Sequence, residues 1–388
     1  MAVEPAPFRV GGECDPWFEQ VREVFAEHFA GGNEQGASVC ISVDGRVVVD
    51  LFGGQASRRN GGVQWKRDTI VNIYSATKGI SALCLHVLVD RGLLDLEAPV
   101  ARYWPEFSQC GKGAITVADV LGHRAGLAAL VSPLPHDALY DHDRVCACLA
   151  GQPPLWPVGQ AHGYHAVTFG FLVGELVRRV TGRTLGRFLA EHIAGPLDAD
   201  VHIGLGAEHD ARVAHVTRPL GISPPVGQPD LLEVFRKEPD SLTARAFGNP
   251  APAQGSVNTR PWRAAEIPGS NGHANARGLC RVYSAALSGE LISACQVGRL
   301  QTELSKGVDR VLRVPTRFGA GLMLSQQGGG GWFSPSAGAF GHPGMGGSLG
   351  MADPESGLAF GYTMNRAGAS ILVGERPRRL LEACYACL

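Results

Sequence analysis

The stretch ASVCISVDGRVVVDLFGG, residues 37 to 54, constrains the fold of this chain more than any other. Val39, Ile41 and Val43 alternate with small residues, and Val47, Val49 and Leu51 alternate beyond Asp44-Gly45. Period-two alternation on both sides of an Asp-Gly pair reads as a β-hairpin, because a two-residue turn of that type needs positive φ at its centre. A second strand pair is indicated near the other end of the chain, where GSLGMAD and GLAFGYTMN flank the turn PESG. Strands at both ends and few between predict one antiparallel sheet assembled from the two termini. The middle of the chain is then left to form a helical lobe.

The flanks of the sheet are also legible. Asp15 and Pro16 form a cap and first-turn pair, Phe18, Val21, Phe25 and Phe29 recur at helical spacing, and Gly31-Gly32 stops the run. ERPRRLLEACYACL offers a closing helix. In the middle, TVADVLGHRAGL, HAVTFGFLVGELVRRVTG and TLGRFLAEHIAGPL carry three-and-four apolar spacing with glycine stops and read as helices. From Pro219 to Ser270 the composition turns to Pro, Gly and Asn, which predicts long surface loops, and SQQGGGGWF at 325 to 333 is the loosest stretch. The expected class is α/β of the α+β kind. Residues 1–95 and 270–388 would form a discontinuous sheet domain, and 96–269 a mostly helical lobe with loops that cover a substrate. No internal repeat is evident.

Chemistry enters at YSATKGIS, residues 74 to 81. The chain holds five lysines against thirty arginines, so composition predicts fewer than one accidental Ser-x-x-Lys. The serine stands at the first turn of an apolar segment, where backbone N–H groups and the helix dipole favour an oxyanion on its acyl group. Lys78 lies one turn on, facing the same side. Desolvation by Ile80, Leu83 and Cys84 disfavours its ammonium form, so a neutral amine could take the Ser75 proton. A capping serine followed by a snorkelling lysine would produce the same letters.

Two further elements accompany this pair. Tyr164, in GYHAVTFG, enters a helix after a Pro- and Gly-rich stretch; it is either a packed aromatic or a proton relay, its phenol pKa pulled down by a neighbouring lysine ammonium. FGHPGMGGSLG, residues 340 to 350, is either a plain turn or a place where glycines let backbone amides approach a ligand.

Composition excludes other functions. A formal charge of −1 without runs of like charge gives no footprint for nucleic acid or an acidic membrane. The amino terminus lacks a basic leader followed by an apolar stretch, and the apolar run Ile80 to Val89 is shorter than the ~20 residues of a membrane helix. Ten scattered cysteines read as reduced thiols, the terminal CYAC included, and the expected location is cytoplasmic.

In order and spacing, Ser-x-x-Lys, then Tyr164, then His-x-Gly near the last strands resembles the serine β-lactamase and penicillin-binding protein superfamily, whose Ser-x-x-K motif is general knowledge. Within it the chain is most similar to the β-lactamase-fold, or family VIII, carboxylesterases. SATKGISA, DRGLLDLEAPVARYWPEF, ITVADVLGHRAGL, YHAVTFGFLVGELVRRVTGRTLGRFL, EIPGSNGHANARGLCRVYSAAL and FGHPGMGGSLGMADPESGLAFGYTMNR carry the likeness. It implies a β-lactamase-like α/β sandwich with a helical lobe and an active site between them. It also implies Ser75 as nucleophile, Lys78 as base and Tyr164 as relay, with no metal and no cofactor.

Departures from the lactamase pattern shape the substrate reading. Ala166 stands where the Tyr-x-Asn type has asparagine, and His342-Pro343-Gly344 stands where lactamases have Lys-Thr-Gly, so a full cation for a carboxylate is missing. Small carboxylic esters are therefore the expected substrates. The second oxyanion donor is the Met345 amide if His342-Pro343-Gly344 is in register, or the Ser348 amide if Met345-Gly346-Gly347 is; the first is preferred. His342 can be structural, Trp156 and Trp332 are candidate apolar walls, and His165 is a packing or pocket residue beside Ala166. The alternatives are an acyltransferase or a β-lactam or D-amino peptide hydrolase on the same centre, and a catalytically inactive binding protein.

Overall fold

The computed structural model describes residues 10–388 apart from 60–61, 219–223, 225–227, 229 and 329. Most of the expected loop from Pro219 to Pro229, Gly329 of the glycine run and the first nine residues thus lie outside the described residues. Asp44 and Gly45 take φ of 48° and 78°, the turn their side chains permit. It joins the second and third of the nine strands on the main path of the large sheet: β1 (Val10–Cys14), β2 (Gly36–Val43), β3 (Arg46–Ser57), β4 (Ser305–Val308), β5 (Pro315–Phe318), β6 (Met323–Leu324), β7 (Phe340–Pro343), β8 (Leu349–Asp353) and β9 (Leu358–Met364). They form one antiparallel sheet in the order β1-β3-β2-β9-β8-β7-β6-β5-β4, with Val63–Gln64 pairing β3 to the side. Strands from the two ends meet at its centre, where Val39 pairs Tyr362 and Ile41 pairs Phe360.

Both faces of the sheet are covered, which the alternation along β2 makes visible. Val39 and Ile41 join a core with Val21 and Phe25 of α1 (Glu19–Ala30) and its cap residue Phe18, and with Leu380 and Leu381 of the C-terminal helix. Cys40, between them, joins the opposite core, with α2 (Ala76–Asp90) and the lobe. The remaining long helices are α3 (His142–Gly151), α4 (Thr168–Thr181), α5 (Ala276–Ser288) and α6 (Glu375–Tyr385). α2 is the hub: every residue from Ala76 to Val89 is buried, as suits a helix apolar on all sides.

Three expectations need correction. TVADVLGHRAGL makes only a five-residue helix, Val117–Leu121, because Gly122 ends it and His123 turns left-handed at φ 58°. The Pro-rich region before Ser270 is not all loop, since it contains helices Leu231–Lys237, Leu242–Gly248 and Arg260–Ala264. Strands β4 to β6 carry no alternation long enough to announce them and extend the sheet unforeseen. Among the described residues, no helix is long and apolar enough to cross a membrane.

Candidate active site

Ser75 is the cap residue of α2, yet its side chain makes no capping hydrogen bond. Tyr74 before it holds φ at 47°, a left-handed conformation that costs a bulky residue ~1–3 kcal/mol, so the turn into the helix is maintained by its surroundings. Those surroundings are specific. The Ile73 amide donates to Gly272 O at 2.9 Å, and Ile73 O accepts the Ser348 hydroxyl at 2.7 Å.

Lys78 is fully buried, not partly as its apolar neighbours suggested. Its Nζ lies 3.2 Å from Ser75 Oγ and donates to Ala166 O at 2.7 Å and Gly269 O at 2.8 Å. Burial alone brings its pKa down to about 7. A neutral amine has two N–H donors and one lone pair. The two carbonyls take the donors, and the lone pair is left for the serine O–H. Gly170 makes this possible, because a Cβ there would stand 2.2 Å from Gly269 N and push the carbonyl-bearing segment away.

Tyr164 lies above the lysine, with Nζ 4.9 Å from its ring centroid. Its ring stacks on Phe318 at 6.2 Å, and its backbone N–H donates to Asp309 Oδ1 at 3.0 Å. The expected lowering of its pKa is not found. Burial pushes the phenol up, and with Lys78 held near neutrality no ammonium opposes it. The phenol therefore stays protonated at rest and acts as a donor.

In the third motif, Pro343 has no N–H, while the Gly344, Gly346 and Gly347 amides donate to Ser348 O, Ser370 O and Gly344 O at 2.7, 2.8 and 3.0 Å. That leaves the Met345 and Ser348 amides; Met345 is half-buried on the turn, Ser348 is buried. A Cβ on Gly344 would stand 2.1 Å from Ile73 O, so the motif packs directly against the chain that leads to Ser75. His342 is buried, its Nδ1–H donates to Pro343 O at 2.8 Å, and burial first, then Lys78, lowers its pKa to about 3. It is neutral and supplies no charge.

The pocket candidates divide. Ala166 serves through its carbonyl on Lys78. His165 is buried with both ring nitrogens committed, to Gly163 O at 2.7 Å and the Leu127 amide at 3.2 Å, so it packs and does not face a ligand. Trp156 is buried beside it and donates Nε1–H to Ala161 O at 3.0 Å. Trp332 is partly buried at the edge of the core that holds Tyr164, with no hydrogen bond or ring contact to Ser75, Lys78 or Tyr164 among the described residues.

Sequence reasoning missed the supports. Asp309 accepts from the amides of Tyr164, Val311 and Leu312 and so fixes the loop that carries the tyrosine; one acidic residue in a loop gives no local signal. Gly269 and Gly272 hold Lys78 and Thr77, and the glycine spacing in PGSNGHA was the available hint. Arg376 of α6 donates to Gly346 O at 2.7 Å and pairs with buried Glu34 at 2.8 Å, which ties the third motif to α6 and to the segment that follows α1.

Known proteins resemble this chain in sequence and fold. The Beta-lactamase family model matches residues 21–384. The chain is 38% identical over 371 residues to the esterase/beta-lactamase LipL of Mycobacterium tuberculosis, covering 92% of this chain and 83% of that protein. It is 39% identical to a family VIII carboxylesterase of known crystal structure, with a TM-score of 0.89 over 98% of this chain and all of that one. A penicillin-binding protein homologue from Caulobacter crescentus has the same identity, TM-score and coverage.

Proposed function

The chain belongs to the Beta-lactamase family, and from that premise we propose that it is a serine carboxylesterase acting on small or short-chain esters through an acyl-enzyme on Ser75. The observation that carries the reading is Lys78, whose two donors are taken by carbonyls while its remaining position meets Ser75 Oγ. Ser75 Oγ attacks the ester carbonyl as its proton passes to Lys78 Nζ. The oxyanion is held by the Ser75 and Met345 amides, neither of which has a hydrogen-bond partner among the described residues. Tyr164 donates its proton to the departing alkoxide and is reprotonated by Lys78. Deacylation runs the same path with water in place of the alcohol.

Support for a neutral substrate comes from His342. A β-lactam or peptide terminus brings a carboxylate that needs a charged partner worth about 1.5–3 kcal/mol, and a neutral imidazole gives none. The esterase/beta-lactamase LipL, whose name joins the two activities, supports a second reading, β-lactam hydrolysis on the same centre. The two separate in a side-by-side assay: p-nitrophenyl butyrate should exceed a chromogenic cephalosporin in kcat/KM by ~10²-fold, the loss of the carboxylate contact at His342 and of a side-chain contact to the substrate amide at Ala166. The reverse order would install the lactamase reading. Labelling of wild type but not Ser75→Ala by a fluorophosphonate tests the nucleophile, and an unlabelled wild type would point to a binding protein. All ten cysteines are free, which supports a reducing, cytoplasm-like compartment.

A further inference from the structure

The turn Gly344–Gly347 has a second neighbour. A cavity of about 210 Å³ is lined by Gly346, the segment 366–370, the start of α6 and His28 of α1, and none of Ser75, Lys78 and Tyr164 belongs to it. His28 is 1% exposed, and neither ring nitrogen has a partner among the described residues. Buried polar atoms in folded proteins find partners, so an unmatched imidazole on a cavity wall marks a place for a ligand.

The charges of the wall say which kind. Arg366, Arg376 and Arg379 all line the cavity. Arg376 is engaged by Glu34 and Gly346 O, and Arg379 by Glu27 at 2.6 Å. The Arg366 guanidinium has no hydrogen bond or ion pair among the described residues, and its backbone carbonyl is held by Arg376 at 2.9 Å. α6 adds its amino-terminal end: its cap residue is Gly374, which offers no side chain to the Glu375 and Arg376 amides, the two first-turn N–H groups left once Pro377 lacks one and the Arg378 amide bonds Gly374 O at 3.2 Å. The helix dipole and these amides favour an anion. Glu375, the one carboxylate among the lining residues, is exposed. The field is felt by His28, whose pKa is lowered to about 4 by burial first and then by Arg379 and Arg376. A cation would be repelled by the same groups, and an apolar guest would leave the imidazole unmatched.

We propose that this cavity binds a small oxyanion of the phosphate class, held by Arg366, His28 and the first-turn amides of α6. Because Arg376 joins the cavity wall to Gly346 O, the occupant rests against the turn that carries the Met345 amide.

The test is calorimetric titration of the full chain with inorganic phosphate, against sodium chloride of matched ionic strength. Heat of binding is read whether or not any ester is hydrolysed, so its outcome is independent of the esterase reading. Saturable binding of phosphate and not chloride is expected, about tenfold weaker in Arg366→Gln, the loss of one charge-assisted contact. His28→Phe should weaken it severalfold as an independent check should the arginine variant fold poorly. Ester turnover in phosphate-free buffer should not change in Arg366→Gln. Methyl phosphate binding more tightly than the free ion would assign the site to phosphate esters, and the reverse order to inorganic phosphate. Absence of saturable binding, or equal affinity in wild type and both variants, would overturn the proposal.

Discussion

Lys78 and Lys112 are both fully buried, both end among backbone carbonyls and both lie near an aromatic ring, yet only one is built to be a base. Lys112 donates to Gln109 O, Ala150 O and Gln152 O at 2.8, 2.9 and 2.5 Å. Three acceptors match the three donors of an ammonium, so its charged form is complete and a neutral amine would turn a lone pair on a carbonyl. Lys78 has two carbonyls, and its third neighbour is a hydroxyl that can itself donate. Depth differs too. Lys112 lies under the exposed turn Ser108–Gly111, while Lys78 sits within α2, buried along its whole length. Burial lowers both pKa values and brings Lys78 to about 7. Burial thus brings the Lys78 amine toward neutrality, and its two fixed carbonyls leave a lone pair for Ser75, whereas the three around Lys112 leave none.

The comparison makes crossed predictions. Lys78→Met should lower ester turnover by ~10⁴-fold or more, because the serine loses its base, while the protein still folds. Adding Tyr164→Phe should make it barely worse than the poorer single variant, since the two groups move one proton between them. Lys112→Met should do the opposite. It orphans three carbonyls, each costing ~1–3 kcal/mol, and water beneath the thin turn relieves part, so about 3 kcal/mol of stability is lost in denaturant titration. Turnover should stay within about twofold. If Lys112→Met lost catalysis, or Lys78→Met kept a tenth of it, acceptor number would not be what separates the two.

The contrast also shows what a sequence carries. Lys78 was legible because its partner is local: Ser75 lies one helical turn away and apolar residues follow. Lys112, in the equally sparse GKG, gives no such signal because its acceptors come from Gln109 and from residues forty positions on. The same division holds for the fold. The β2–β3 hairpin and the β8–β9 pair were read from the stretches flanking short turns, and the structure places both as written. β6, two residues long, has no pattern to read. The carbonyl of Gly269, the carboxylate of Asp309 and the Arg376–Glu34 pair are long-range contacts that only a folded backbone assembles. The pKa of Tyr164 failed for a related reason: the sequence put it beside a lysine but could not say that the folded chain buries the phenol, which raises its pKa.

The smallest expected effect separates the two lysines by pH. Lys78 acts as a base only when neutral, so protonation below about 7 fills the lone pair that Ser75 needs. Activity should fall roughly tenfold per pH unit below that point and level off above it, since the ammonium is the inactive form. Lys112→Met should leave this profile unmoved. The histidines around the site cannot produce the limb, because burial holds His165 at about 4, His342 at about 3 and His123 well below its ordinary value. Asp309 is the serious competitor. Burial raises its carboxyl to about 6, and it holds the amide of Tyr164. Asp309→Asn decides between them, because the amide oxygen can still accept from Tyr164, Val311 and Leu312 while nothing there titrates. A limb that stays near 7 in Asp309→Asn belongs to Lys78. A limb that disappears would mean that acid acts by releasing the tyrosine loop, and the two-carbonyl account of Lys78 would no longer explain the base.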